Sequence, residues 1–119
     1  MSREPEAPLR GPAVLAVETH GDLSVLRLNG ELDLYNAGEI RDAVERLIAD
    51  GAKRIVVDLS QVEFLDSTVL GVMIEARAHL GRDGLLLAQP GAEVKRAIVV
   101  SGIDRHLRVH ETVAEALEG

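Results

Sequence analysis

The chain has 119 residues, enough for one domain that buries roughly two-thirds of its unfolded surface and too few for two. Its 20 acids against 13 lysines and arginines leave a formal charge of −7, a field that repels phosphate backbones and anionic lipid, and its two aromatics offer no platform for stacking bases. With no cysteine there is no disulfide or thiolate site, and no apolar run approaches a bilayer span or a signal core, so a cytoplasmic protein without nucleic-acid or membrane partners is expected.

Residues 1–12 hold three prolines, a glycine and four charges, too little apolar surface to offset ordering, and are expected to form a flexible tail ahead of a single domain over residues 13–119. "AVLAVETHGDLSVLRLNGELD" alternates apolar and polar residues on both sides of "HGD", the pattern of a hairpin with strands at 14–18 and 23–29. Ile40, Ala43, Val44, Leu47 and Ile48 then recur at helical spacing. Asn36 and Glu39 have the separation of a capping box, and Asp50-Gly51 supplies the stop.

"KRIVVDLS" reads as a short strand buried on both faces. Val69, Leu70, Val72, Met73, Ala76 and Leu80 mark a second helix over 67–80, ended by Gly81. "GLLLA" is another buried strand, and Val94, Ala97, Ile98 and the small Ser101 share the face of a third helix ended by Gly102. "LRVH" predicts a last strand, and a second capping box, Thr112 with Glu115, opens a terminal helix over 113–118. Strands alternating with helices imply an α/β fold: a mostly parallel central sheet with right-handed crossovers, opened by the hairpin and flanked by about four helices. Sites in such sheets lie beyond strand ends, beside the following helix N-termini, where "GELDLYN" and "FLDSTVLG" fall.

Asp66, Ser67 and Thr68 carry two readings. Each side chain can cap the free amides of a first helical turn, and caps are the commoner use of such residues. Alternatively Ser67 accepts a phosphoryl group, whose charge the helix N-terminus favours. No G-x-S-x-G elbow or neighbouring histidine suggests a hydrolase, and neither a P-loop nor a dinucleotide fingerprint is present, so any phosphoryl transfer needs a partner kinase. His106 and His110 have metal spacing only on a helix, whereas "LRVH" reads as a strand, and no third ligand completes a set. Asp33 and Asp66 could form an acid-base or magnesium pair; solvated acids at loop ends are the commoner case. No metal, cofactor or enzymatic activity is expected.

"LNGELDLYNAGEIRDAV", "RIVVDLSQVEFLDSTVLGVM" and "VKRAIVVSGIDRHLRVHETVAEAL" together resemble the STAS domain, in particular the bacterial anti-sigma factor antagonists, over residues 14–117. "GELD", "DST" followed by "LG", and "SGID" are specific in combination. The resemblance implies a non-enzymatic STAS-type fold that binds an anti-sigma factor with serine kinase activity, a phosphatase completing the cycle. It places phosphorylation on Ser67 and the partner-binding surface on Asp33, Asn36, Asp66, Ser67, Thr68, Val69 and Gly71. The family often has glycine where this chain has Val69, a departure that bears on how closely a partner's backbone can approach. A second reading is a STAS adaptor subunit of a lipid-transport or transporter assembly, in which Ser67 need not be modified.

Overall fold

A computed structural model describes residues 11–118 of the chain; most of the expected N-terminal tail, residues 1–10, lies outside the described residues. Five strands form one sheet in sequence order: β1 (Val14–His20), β2 (Leu23–Leu32), β3 (Arg54–Leu65), β4 (Leu85–Ala88) and β5 (Arg108–His110). β1 pairs antiparallel with β2 across the Gly21-Asp22 turn, and every later neighbour is parallel. The connections carry α1 (Ala37–Ala49), α2 (Ser67–Leu80) and α3 (Ala92–Ser101), and α4 (Val113–Glu118) follows β5.

Each crossover steps the same way along the sheet. Right-handed connections of that kind leave their helices on a single face. The larger core has that composition: Leu26, Leu28 and Leu32 of β2 and Ile55, Val57 and Leu59 of β3 meet Ile40, Val44 and Leu47 of α1, Leu70 and Met73 of α2, and Val94 and Ile98 of α3. The opposite face holds a smaller core in which Val25, Val56, Leu86 and Ala88 are covered by Ala116 of α4. β3 and β4 are therefore buried on both sides, as their unbroken apolar runs require.

β3 runs for 12 residues, well past the short strand expected at 53–60. Its core-facing residues explain why the alternation faded there. Ile55, Val57 and Leu59 are spaced by two, but Val62 and Leu65 follow at intervals of three and still enter the same core. Two register shifts against β2, between Arg27/Asn29 and between Gly30/Glu31, each admit one extra β3 residue and restore the inward direction. β2 likewise extends through Gly30 to Leu32, so most of "GELD" is strand rather than turn.

The capping box expected at α1 is not made. Asn36 gives α1 no side-chain cap, and Glu39 Oε2 instead accepts from the Val14 amide at 2.9 Å, where a bulge interrupts the β1–β2 ladder. The box at α4 forms by half. Thr112 Oγ1 accepts from the Glu115 amide, whereas Glu115 reaches back one residue further than expected, to the Glu111 amide. Ser101 is exposed rather than packed, its hydroxyl donating to the Ile98 carbonyl and accepting from the Ile103 amide to brace a one-turn 3₁₀ helix at Ile103–Arg105. The left-handed Gly102 (φ 79°) makes that junction possible. A Cβ at Gly84 would collide with Leu80, so α2 meets the approach to β4 through direct backbone contact.

Candidate functional site

Parallel pairing brings the ends of β2 and β3 side by side. Leu32 stands opposite Leu65, and the Asp66 amide donates to the Leu32 carbonyl at 3.1 Å, so the loop after β2 lies against the start of α2. That loop is closed by its own polar groups. Asn36 Oδ1 accepts from the Asp33 amide at 2.8 Å, Asn36 Nδ2 donates to the Glu31 carbonyl at 2.8 Å, and Asp33 Oδ1 accepts from the Tyr35 amide at 2.9 Å. The Asp33 carbonyl then receives the amides of Asn36 and Ala37. Asn36 is thus a staple that shapes the loop, and its side chain is committed to the backbone.

On the other strand end, Asp66 is the N-cap of α2. Its Oδ1 accepts from the amides of Thr68 at 3.0 Å and Val69 at 3.3 Å, which are otherwise orphaned by the helix start. Ser67 is the first helical residue and is exposed, as is Thr68. Gly71 lies four residues on, hence beneath Ser67 on the same helix face, and nothing comes within 4 Å of where its Cβ would stand. Of the expected surface set, Val69 is the correction. Its side chain is 0% exposed and belongs to the larger core, because position 69 faces the sheet in the register that buries Val72, Met73 and Ala76. It therefore adds no bulk in front of Ser67.

Asp33 Oδ1 and Asp66 Oδ1 each accept from amides of their own turn. Among the described residues no group of three or more His, Cys, Asp or Glu could hold a metal ion, and no helix is long and apolar enough to cross a membrane.

The structure adds apolar residues that the sequence reading passed over. Leu34 (66% exposed) and Tyr35 (86%) project from the loop after β2, and Phe64 (52%), whose partner in β2 is Glu31, stands one residue before the end of β3. Both aromatics of the chain thus sit in solvent at the end of the sheet that carries Ser67. Ile74, partly exposed, continues the Ser67–Gly71 face one turn further along α2. The signals were present: "LY" interrupts a polar loop without a periodic partner, and Phe64 breaks the strand pattern. Exposed apolar groups at the same sheet end as an exposed serine make a surface fitted to macromolecular docking rather than to enclosing a small substrate.

Comparison with known proteins agrees with this architecture. The anti-sigma-F factor antagonist RsfB of Mycobacterium tuberculosis is 31% identical over 106 residues, covering 88% of this chain and 87% of the relative. A solved anti-sigma factor antagonist from Mycobacterium paratuberculosis superposes with a TM-score of 0.79 at 32% identity, over 87% of this chain and 89% of that one. The Bacillus cell fate determinant SpoIIAA, solved in its phosphorylated form, matches with a TM-score of 0.61 at 29% identity, over 87% of this chain and 96% of its own. The family model of the STAS domain matches residues 14–116, the whole sheet and nearly all of its helices, and the chain belongs to the STAS domain family.

Proposed function

We propose that this protein is an anti-sigma factor antagonist whose partner binding is controlled by phosphorylation of Ser67. In this reading the unmodified domain binds a cytoplasmic anti-sigma factor and so frees a sigma factor for transcription. The anti-sigma factor is also a serine kinase. It supplies ATP and magnesium, and transfers the γ-phosphoryl group to Ser67 Oγ while its own base takes the hydroxyl proton. A phosphatase restores the binding form. This chain contributes an acceptor and a docking surface, and no catalytic group.

The observation that carries the reading is the exposed Ser67 at the first position of α2, at the same end of the sheet as exposed Leu34, Tyr35 and Phe64. A kinase can reach such a residue without unfolding the domain, and the exposed apolar side chains at that end give it something to bind. The names and phosphorylated state of the relatives support the same assignment. Asp33 and Asn36 act by holding the loop that presents Leu34 and Tyr35. Thr68 and Gly71 extend the contact along α2.

The experiment is incubation with ATP and the anti-sigma factor captured from the source cell, followed by intact-mass analysis and phosphopeptide mapping. One phosphate on Ser67, absent from Ser67→Ala, is the expected result. Stable binding with no phosphate at any residue would instead assign a structural adaptor, and no binding would remove the antagonist role.

A further inference from the structure

Among the described residues, the buried side-chain polar atoms without a hydrogen-bond partner are Arg54 Nε, Arg77 Nε and His110 Nε2. All three belong to side chains that line two adjoining clefts near the N-terminal ends of β3, β4 and β5, away from Ser67 beyond the C-terminal end of β3. The first cleft, about 190 Å³, is lined by Arg77, Arg82, Arg105 and Arg108 with His106, against Asp83 and Asp104. The second, about 260 Å³, is lined by Arg54, Arg108 and His110 above Leu86. Arg108 and Asp83 line both, their Nε and Oδ1 atoms 3.4 Å apart.

Five of the chain's 13 lysines and arginines converge here in a molecule of net charge −7. A charged surface scattered for solubility would not collect them. Buried donors are ordinarily satisfied, so orphaned nitrogens on side chains that line both clefts mark this end of the sheet as short of acceptors. Four arginines against two aspartates in the first cleft leave an excess of positive charge. The guanidinium fork matches the oxygen spacing of phosphate, and both clefts fall below the ~300 Å³ of pockets that enclose drug-sized ligands.

We propose that these joined clefts bind a small oxyanion, a phosphate group free or on a small metabolite. Arg77 and Arg105 hold it from the first cleft, and the guanidinium of Arg54 and the imidazole of His110 line the second. The site is separate from the phosphoryl acceptor and does not depend on that reading.

The test is titration of sodium phosphate into the ¹⁵N-labelled full chain, against sodium chloride at matched ionic strength. Saturable shifts specific to phosphate are expected at residues 82–86 and 104–110 and at the Arg54 and Arg77 side-chain N–H groups. Arg77→Gln and Arg105→Gln should each weaken binding by about tenfold or more. Arg105 lies on an exposed turn, so its variant remains informative should Arg77→Gln fail to fold. Ser67→Ala should bind as wild type does. A phosphate response no larger than that to chloride, shifts centred on residues 67–70, or undiminished binding by Arg105→Gln would overturn the proposal.

Discussion

Asp66 holds the amides of Thr68 and Val69 with a single carboxylate oxygen, so a phosphoryl group on the adjoining Ser67 meets a negative charge already seated at the helix start. The favourable end of the α2 dipole, worth about 0.3 to 1 kcal/mol to an anion, is shared with Asp66 from the outset. Phosphorylation should therefore leave thermal stability nearly unchanged and act on the complex, where a group of about −1.5 to −2 charges is set against the docking surface. Like-charge and desolvation costs of about 3 to 4 kcal/mol weaken binding several-hundred-fold at 1.4 kcal/mol per tenfold. Calorimetric titration against the anti-sigma factor should rank Ser67→Ala equal to unmodified protein, Ser67→Asp weaker and phosphoserine weakest; equal affinities throughout would remove the switch. Asp66 itself can be divided into cap and charge. Asp66→Ala should lower stability by about 1 kcal/mol in urea titration, whereas Asp66→Asn, which still caps, should change it little. A large loss in Asp66→Asn would mean that the charge, not the cap, supports the fold.

At the scale of the element, α2 differs from α1 in carrying apolar or small residues on both sides. Its inner face packs Val69, Leu70, Val72, Met73 and Ala76 on the sheet, while Gly71 and Ile74 lie outside. An interior helical glycine costs about 0.5 to 1 kcal/mol relative to alanine, and here no internal contact demands it, since a Cβ would meet nothing within 4 Å. The fold alone would be better served by alanine. Gly71→Ala is thus expected to raise the unfolding midpoint while weakening partner binding, two shifts of opposite sign measured on one variant. A destabilised Gly71→Ala would show that the glycine serves packing; unchanged affinity would place the contact elsewhere on α2.

Across the whole molecule, burial is divided unequally between the two faces of the sheet. Leu26 belongs to the core under three helices, and Leu86 to the small core under α4. Both truncations to Ala should cost about 2 to 5 kcal/mol, with Leu86→Ala nearer the lower bound because the six-residue α4 can settle into the cavity more readily. The α4 face also buries a charge. Asp58 is 2% exposed, bonded to Arg27 Nε at 2.9 Å and to the Ser60 amide at 2.9 Å. Burial pushes its carboxyl up, but the Ser60 amide and the Arg27 guanidinium together outweigh it and hold the pKa below the ordinary 3.8. A lowered folded-state pKa contributes stability that is present above the unfolded carboxylate value and lost as pH falls through the folded one. Asp58→Asn should therefore melt earlier than wild type at neutral pH, and the gap should narrow as pH falls below the ordinary carboxylate value. A gap independent of pH would mean that Asp58 acts by shape alone.

Helix and strand order, the opening hairpin and the inward-facing residues were legible in the chain because periodicity is a local consequence of which face must leave water. Ile40, Val44, Leu47, Ile55, Val57, Leu70, Met73, Leu86, Val94 and Ile98 are all buried as their spacing predicts. The "DST" junction was legible for the same reason, since a strand end followed by capping residues is a contiguous pattern. What lay beyond the sequence required partners distant in the chain. Asn36 has the spacing of a cap, yet the loop closes around Glu31 and Asp33 and takes its side chain, while a bulge in β1 gives Glu39 to Val14. Val69 stood both in the apolar helical pattern and in the surface set around Ser67, and only the packing of α2 on the sheet, with Val72 and Met73 flanking it on the inner face, decided for the core. Tyr35 and Phe64 are 29 positions apart, and only the parallel pairing of β2 with β3 brings them to the same end as Ser67. Local pattern decides which residues leave water; the register between strands decides which of those remaining outside stand together.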